Sequence, residues 1–483
     1  MSTVTWSELL IATYYAIVIV LSVRIILQKR NPVKTYAYII LLLAVPLLGL
    51  LIYFFFGTDY RRVKFYKRKR YFDQKTIQRW NDQITPVMEL MQNNHLAESL
   101  QFKKLSKLLL ESNKSIITLK NKVKLLVNGE NYYPVLFERM DAATHHIHID
   151  MYEITSDELG EIFIQKCIDA VNRGVLVRLI YDSVGCIGLT NADIDRMKDH
   201  GVQIFPFTKV RFPEFGSRAN NRTHCKVIII DGNEYFNGGI NIDQRYDNSR
   251  NERYWFDTML HVKGDATIPV QNHFLLKWEF VSDETLDTPS EYMPENDIND
   301  DCPIQYMYTG PDSDWESILL TFNVATQTAQ DYIYFMTPYF APEDSLLNAL
   351  VIAAQSGCDV RLIIPEDSDS KLVDYASKSY VTPLLLAGVK IYFYEKGMMH
   401  AKNFVVDDFC TYIGTANMDV RSFYFNFECG SLVYDSDLAQ ELKQQFLNEC
   451  ENSCYQVELE DWKQRGTPQR VAESVCRLFS PII

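Results

Sequence analysis

The 483 residues include ten cysteines, yet none pair as Cys-x-x-Cys, and the closest two, Cys450 and Cys454, sit one helical turn apart. That pattern supports no disulfide framework and points to reduced thiols. His and Cys nowhere fall at zinc-ligand spacing, so neither a metal nor another cofactor is expected. His145, His146 and His148 come nearest to a cluster, in a strand-like run where alternation puts His146 and His148 on one face. Packing or hydrogen bonding is the reading there. The chain also lacks a surplus of positive charge. Its net charge is −14, and because residues 1–73 carry +8, the remainder carries −22. A body that acidic is a poor partner for nucleic acid, whose phosphates call for surplus Lys and Arg.

Charge of either sign is missing from two stretches near the N-terminus. Residues 9–23 have none, residues 25–27 extend that run past Arg24, and residues 36–57 form a second uncharged run. A helix of about 20 apolar residues crosses the hydrocarbon core. The first run lacks the basic start and the small-residue cleavage site of a secretory signal, and Glu8 precedes it. A two-helix transmembrane hairpin is therefore expected, its second helix kinked at Pro46. Lys29, Arg30 and Lys34 lie between the two helices, and seven basic residues follow the second between Arg61 and Arg70. The larger cluster favours a multi-pass protein of the cell membrane with a cytoplasmic body. The 61–70 stretch would then lie on anionic lipid headgroups.

Beyond residue 73 the pattern is strand, helix, strand, and it occurs twice. In the first copy, residues 144–151, 176–181 and 202–206 read as strands, and 158–171 and 193–200 as helices. In the second, 332–337, 360–364 and 389–394 read as strands, and 345–355 and 373–386 as helices. The punctuation matches: Arg173-Gly174-Val175 beside Ser356-Gly357-Cys358, and Gly201-Val202 beside Gly388-Val389. Such alternation predicts an α/β sheet in each half. The expected organisation is a hairpin and basic segment over 1–73, a helix-like connector or first helices over 74–120, a first half over 121–282, an exposed acidic linker over 283–301 and a second half over 302–483. The linker holds eight acids with Pro289 and Pro294, which disfavour a long helix.

One string carries chemistry, and both halves have it, 176 residues apart. His224, Lys226 and Asp231 spell His-x-Lys-x4-Asp, and His400, Lys402 and Asp407 spell it again. Asn241, Asp243, Arg245 and Glu252 keep that offset to Asn417, Asp419, Arg421 and Glu428. On a strand, His224 and Lys226 share one face. Asp231 belongs to the other face, or to the turn that Asp231-Gly232-Asn233 announces. A hairpin turning near Gly232 would set Asn241 beside His224 and, by the same count, Asn417 beside His400. This set suits a phosphodiester. An imidazole can attack phosphorus or protonate a leaving oxygen. An ammonium and an amide can hold the non-bridging oxygens. A carboxylate on the other ring nitrogen fixes the tautomer, and Glu252 and Glu428, each 28 residues after its own histidine, are candidates. One histidine would attack while the other serves the leaving group, so two halves would build one site.

At these residues the sequence resembles the phospholipase D superfamily, whose signature is the doubled string. Gly238-Gly239-Ile240-Asn241 and Gly414-Thr415-Ala416-Asn417 resemble that family's small-residue element ending in Asn. With the N-terminal hairpin and this length, the likeness is nearest to the bacterial cardiolipin synthases. The resemblance implies two similar α/β halves related by a pseudo-twofold axis, a phosphatidyl-histidine intermediate and no metal. It implies that two phosphatidylglycerols, taken from anionic membrane lipid, become cardiolipin and glycerol. It also implies one triad of His224, Lys226 and Asp231, and a second of His400, Lys402 and Asp407. By residue chemistry either histidine could be the nucleophile; the resemblance tips the choice to His224. A membrane phospholipase D, or a phosphatidyltransferase with a different acceptor, would share every one of these residues. Cys225 stands where members often carry a larger basic residue, on the side expected to face away from His224.

Overall fold

The computed structural model describes residues 6–27, 32–45, 47–56, 100–207, 222–286 and 289–480. The basic stretch 61–70 and residues 74–99 of the expected connector lie outside the described residues.

The first uncharged run is one helix, Trp6–Leu27, of 22 residues; at 1.5 Å per residue it is about 33 Å long. Among the described residues it is the one helix long and apolar enough to cross a membrane. The second run is not a single helix. It divides into Pro32–Ala44 and Leu48–Phe56, with Leu47 at φ 64° between them. The reason is local: Pro46 has no N–H to give the carbonyl four residues back, that of Leu42. The Tyr14 hydroxyl of the first helix donates to that carbonyl instead. Val18 and Ile25 of the first helix then bury against Leu42 and Tyr53.

The body is built on one fifteen-stranded sheet. In spatial order its strands are Cys454–Gln456, Lys390–Tyr394, Asp359–Pro365, Tyr332–Met336, Asn403–Val406, Cys410–Gly414, Glu428–Val433, Asp301–Thr309, Ile117–Val127, Thr258–Gly264, Glu234–Gly238, Lys226–Ile230, His146–Met151, Leu176–Tyr181 and Gln203–Pro206. Apart from the first edge strand, the list reads alike from either end. Each half places its first strand beside its last, and the two first strands, Ile117–Val127 and Asp301–Thr309, pair antiparallel at the centre. Both halves thus share one sheet, in opposite orientation. Within each half the outer three strands are parallel, His146–Met151 to Leu176–Tyr181 to Gln203–Pro206, and Tyr332–Met336 to Asp359–Pro365 to Lys390–Tyr394. Parallel pairing needs long crossovers, which the helices supply.

Two expectations meet a different outcome, while the helix-like reading before residue 120 and the reading of the histidine run hold. The run 373–386 is two helices, Lys371–Lys378 and Val381–Ala387, because Pro383 cannot continue a helix through the carbonyl of Ser379. The acidic 283–301 segment does not run free of the body: Met293 is buried and the Tyr292 ring lies 5.1 Å from that of His146. Residues 100–113 form a helix, Leu100–Asn113, whose Phe102 ring packs on Tyr434 at 4.8 Å, and whose Asn113 donates to the Tyr308 carbonyl at 2.9 Å, so it completes the second half. The histidine run, finally, is core. Gln271 bonds His146 at 3.1 Å and His148 at 2.7 Å, and His148 stacks on Phe274.

Candidate active site

Two short crossings bring the halves together. The strand Gly397–Met399 pairs parallel with Tyr254–Phe256, and the N–H of His400 donates to the Phe256 carbonyl at 2.7 Å. On the other side, Thr223 bridges Phe427, and the N–H of His224 donates to the Phe427 carbonyl at 2.8 Å. The residue after each of those carbonyls is an acid, Asp257 or Glu428. Each acid therefore meets the histidine of the other half. His224 Nδ1 lies 3.0 Å from both Glu428 oxygens, and His400 Nδ1 lies 2.6 Å from Asp257 Oδ2.

This corrects the expectation for Glu252. It is exposed on the bend before Tyr254–Phe256, and Asp257 stands where it was expected. Glu428 does meet a histidine, but that of the first half rather than its own. The signal for Asp257 lies in the sequence: Phe256-Asp257 matches Phe427-Glu428 as an aromatic-acid pair entering the last strand of each half. The first half carries five extra residues between its asparagine and that pair, so a fixed offset of 176 falls on the wrong acid.

The two carboxylates are held differently. Glu428 is fully buried and accepts from the Thr415 hydroxyl at 2.5 Å and from the Asn426 amide at 3.1 Å. Asp257 accepts from the Thr258 N–H at 2.7 Å. The position matching Thr415 is Gly239, since both give their N–H to the carbonyl just after the acid, Cys429 or Thr258. A Cβ at Gly239 would come within 2.1 Å of Asp257 Oδ1. The glycine leaves Asp257 room; the threonine braces Glu428.

Electrostatics follow the same asymmetry. Burial pushes the His224 imidazole down to about 4, with Glu428 opposing and Lys226 assisting. Burial would raise the Glu428 carboxyl, but the His224 ring and the Thr415 hydroxyl bring it below the usual range. An ionised carboxylate only accepts, so Nδ1 of His224 carries the proton and Nε2 keeps its lone pair. Burial, then Lys402 and Lys226, hold His400 well below the ordinary imidazole value. Burial also pushes the Lys402 ammonium down to about 7 and the Asp257 carboxyl up to about 7.

Lys226 lowers its ammonium onto the His224 carbonyl at 2.9 Å and over the Tyr152 ring at 4.9 Å from the centroid. Lys402 sits tight against its own histidine, 2.8 Å from Nδ1 and 3.1 Å from Nε2. The Tyr152 ring lies 4.7 Å from that of His224, while Tyr246 and Trp255 flank His400 at 5.3 and 5.4 Å.

Asp231 and Asp407 join no triad. They sit in the three-residue hairpin turns at left-handed φ of 52° and 48°. Asp231 accepts the N–H groups of Thr144, His145 and His146 at 2.9, 2.8 and 3.0 Å. Asp407 does the same for Gln330, Asp331 and Tyr332 at 2.7, 2.9 and 2.8 Å. Five residue steps along the strand, about 17 Å, separate each from its lysine. Their work is to pin the hairpin to the start of the neighbouring strand and so fix the register that carries the histidine.

The asparagines also differ from expectation. Val227 pairs with Asn237 and Asn403 with Ile413, one residue off the register that would set Asn241 opposite His224 and Asn417 opposite His400. Asn241 gives its amide to Glu153 at 3.0 Å and to the Tyr246 hydroxyl at 2.8 Å. Asn417 is buried, and its backbone N–H bonds the Ser422 hydroxyl at 3.2 Å.

A sheet duplicated in this way is a PLD-like fold with two repeated domains. The Haemophilus influenzae Rd KW20 phosphatidylserine synthase has that fold: its crystal structure matches at a TM-score of 0.61, covering 79% of this chain and 100% of that one at 14% identity. The family described as cardiolipin synthase, PLD-like domain, matches residues 136–265 and 325–450, and the phospholipase D-nuclease N-terminal family matches 16–57. The cardiolipin synthase of Geobacillus sp. (strain WCH70) is 37% identical over 461 residues, which is 95% of this chain and 90% of that one. Cardiolipin synthase 2 of Bacillus anthracis is 36% identical over 462 residues, 95% of this chain and 88% of that one. The chain belongs to the PLD-like cardiolipin synthase family. That membership, with the apolar helix Trp6–Leu27, associates it with the membrane.

Proposed function

We propose that the chain is a cardiolipin synthase that transfers a phosphatidyl group between two phosphatidylglycerols through His224. The crossed pairs carry this reading: each histidine takes its orienting carboxylate from the other half, so neither half is complete alone. His224 Nε2 attacks the phosphorus of the first lipid, and the bond from phosphorus to the glycerol oxygen breaks. His400 gives that oxygen its proton and glycerol leaves. The glycerol hydroxyl of the second lipid then attacks the phosphatidyl-histidine, His400 takes its proton, and the phosphorus–nitrogen bond breaks. Cardiolipin is the product. Lys226 and Lys402 hold the non-bridging oxygens, whose charge grows in each transition state. The phosphodiester's own negative charge offsets the two ammonium groups, which is the condition for His400 to take up a proton. Glu428 and Asp257 fix the two rings; Asn241, Asn417, Asp231 and Asp407 position what surrounds them.

Two transmembrane passes with the body on the cytoplasmic side complete the reading. Support comes from the seven basic residues after the second run against three before it, and from the Tyr14 bond that ties the two helices. The test supplies purified chain with phosphatidylglycerol alone. Cardiolipin and glycerol in equal amounts are expected; phosphatidic acid as the product would assign a hydrolase instead.

A further inference from the structure

Each half leaves apolar side chains in solvent at the end of the sheet that bears the site. In the first half the strand Leu176–Tyr181 runs into the turn Gly185–Gly188. Ile187 on that turn is 90% exposed and Val184 about half exposed at 48%. The turn is not loose. Asp182 accepts the N–H groups of Val184 and Gly185, each at 2.9 Å, and that of Thr223, beside His224, at 3.2 Å. Cys186 Sγ donates to the Tyr152 carbonyl at 3.3 Å, and the Tyr152 ring packs on His224. A bare isoleucine is thus presented by a rigid turn next to the candidate nucleophile.

In the second half the matching strand, Asp359–Pro365, leads to the helix Lys371–Lys378, where Leu372 and Tyr375 are exposed. The approach is tied to the site, since Arg253 donates to the Asp367 carbonyl at 2.5 Å just before the strand Tyr254–Phe256 that meets His400. Against this helix packs Thr467–Arg477. Val471, Val475 and Leu478 are exposed there, Leu478 at 77%. Their spacing of four and then three residues sets them on one stripe. Arg470 and Arg477 are exposed beside it, while the one acid of the helix, Glu473, is buried against Arg465 at 3.0 Å. In a body that is otherwise strongly acidic, this helix carries its apolar stripe with Arg470 and Arg477 as its exposed charges. Apolar stripe and arginines together are the composition of a helix lying in a lipid interface.

We propose that the turn Gly185–Gly188 and the helix Thr467–Arg477 dock the body onto an anionic bilayer, one on each side of the site. A phosphodiester could then reach His224 and His400 while its acyl chains stay in the bilayer. The lipid partner rests on the proposed function; the surface itself rests on exposure and charge.

The test places single tryptophans in the full chain, reconstituted in phosphatidylglycerol vesicles with brominated acyl chains: Ile187→Trp, Val475→Trp and, at the opposite end of the second half's strands, Ser356→Trp. The emission added at 187 and 475 is expected to be quenched, and that added at 356 not. If either 187 or 475 behaves like 356, the two-sided surface is wrong. If 475 is unquenched and Val475→Asp splits a dimer, the occupant is a second copy and the proposal falls. An activity arm separates docking from chemistry. Ile187→Asp with Val475→Asp should lower turnover of vesicle lipid by about tenfold, the loss of a few buried methylenes. Turnover of a dispersed short-chain phosphatidylglycerol should stay unchanged, and an equal fall on both substrates would overturn docking. Parent chain that turns over neither substrate would refute the proposed function and leave the quenching result to decide the surface.

Discussion

His224 and His400 occupy equivalent places in a duplicated sheet, yet their surroundings differ. His224 faces a two-oxygen, ionised Glu428 braced by Thr415 and Asn426. His400 faces one oxygen of Asp257, with Lys402 pressed against its ring. The first arrangement holds a neutral imidazole with one fixed tautomer, which is what a nucleophile requires. In the second, a carboxyl and an ammonium have both been pushed to about 7, which is where groups that exchange protons at neutral pH should lie. Duplication supplies the geometry twice; under the proposed mechanism, the acid and its brace divide the labour.

The largest test of that division removes the rings. His224→Ala and His400→Ala should each lower cardiolipin formation by at least about 10³-fold, and the double variant should be little worse, because groups acting as a unit are not additive. A phosphatidyl donor with a low-pKa leaving group should restore part of the His400→Ala rate, since general acid help is worth about 10²–10⁴. It should restore none for His224→Ala. Rescue of His224→Ala would exchange the two roles, and two half-active single variants would mean two separate sites.

A smaller effect tests the crossing. Glu428→Gln and Asp257→Asn keep shape but lose charge, and each should slow turnover by roughly 10²–10⁴-fold, as when a triad carboxylate becomes an amide. Glu252→Gln should leave the rate unchanged. Purified protein with Glu252→Gln as the damaging change and Asp257→Asn silent would reverse the assignment. Thermal unfolding of each variant separates a lost ring orientation from a lost fold.

These variants also mark where the sequence was readable. The doubled string located both histidines and lysines, and the strand-helix alternation found the sheet, because burial on a repeated scaffold leaves a period in the chain. Asp257 escaped because five inserted residues shift it from the fixed offset; only the aromatic-acid pair with Phe256 marks it. The crossing itself is long-range: Phe427 meets His224 across 203 residues, and no local pattern encodes that hydrogen bond. Asn241 and Asn417 were misplaced by one residue of hairpin register, since the three-residue turns centre one half-step earlier than a two-residue turn would. The kink expected at Pro46 becomes a division between Ala44 and Leu48, because proline offers no backbone donor; the sequence does not say which group replaces it. Asp231 and Asp407 looked catalytic for being part of the string, whereas their bonds show that the string also encodes a turn.

The subtlest test is pH, and its sign comes from the unequal carboxylates. With the His224 imidazole near 4, its protonation cannot limit activity at pH 6. Asp257, pushed by burial up to about 7, does change state there. As pH falls below 7 it gains a proton and no longer stabilises positive charge on His400, so kcat/KM should fall by about tenfold per unit, one proton's worth. As pH rises above 7 Lys402, pushed by burial down to about 7, loses its proton and its hold on the phosphate, so kcat/KM should fall again. The profile is a narrow bell near neutrality. Asp257→Asn should flatten the acid limb at a lower plateau, because no carboxyl remains to titrate beside His400. Glu428→Gln should lower the whole curve and keep the limb, because Glu428 stays ionised through that range. An acid limb that survives Asp257→Asn but vanishes with Glu428→Gln would place the titrating group beside His224, and the two histidines would have to exchange their parts.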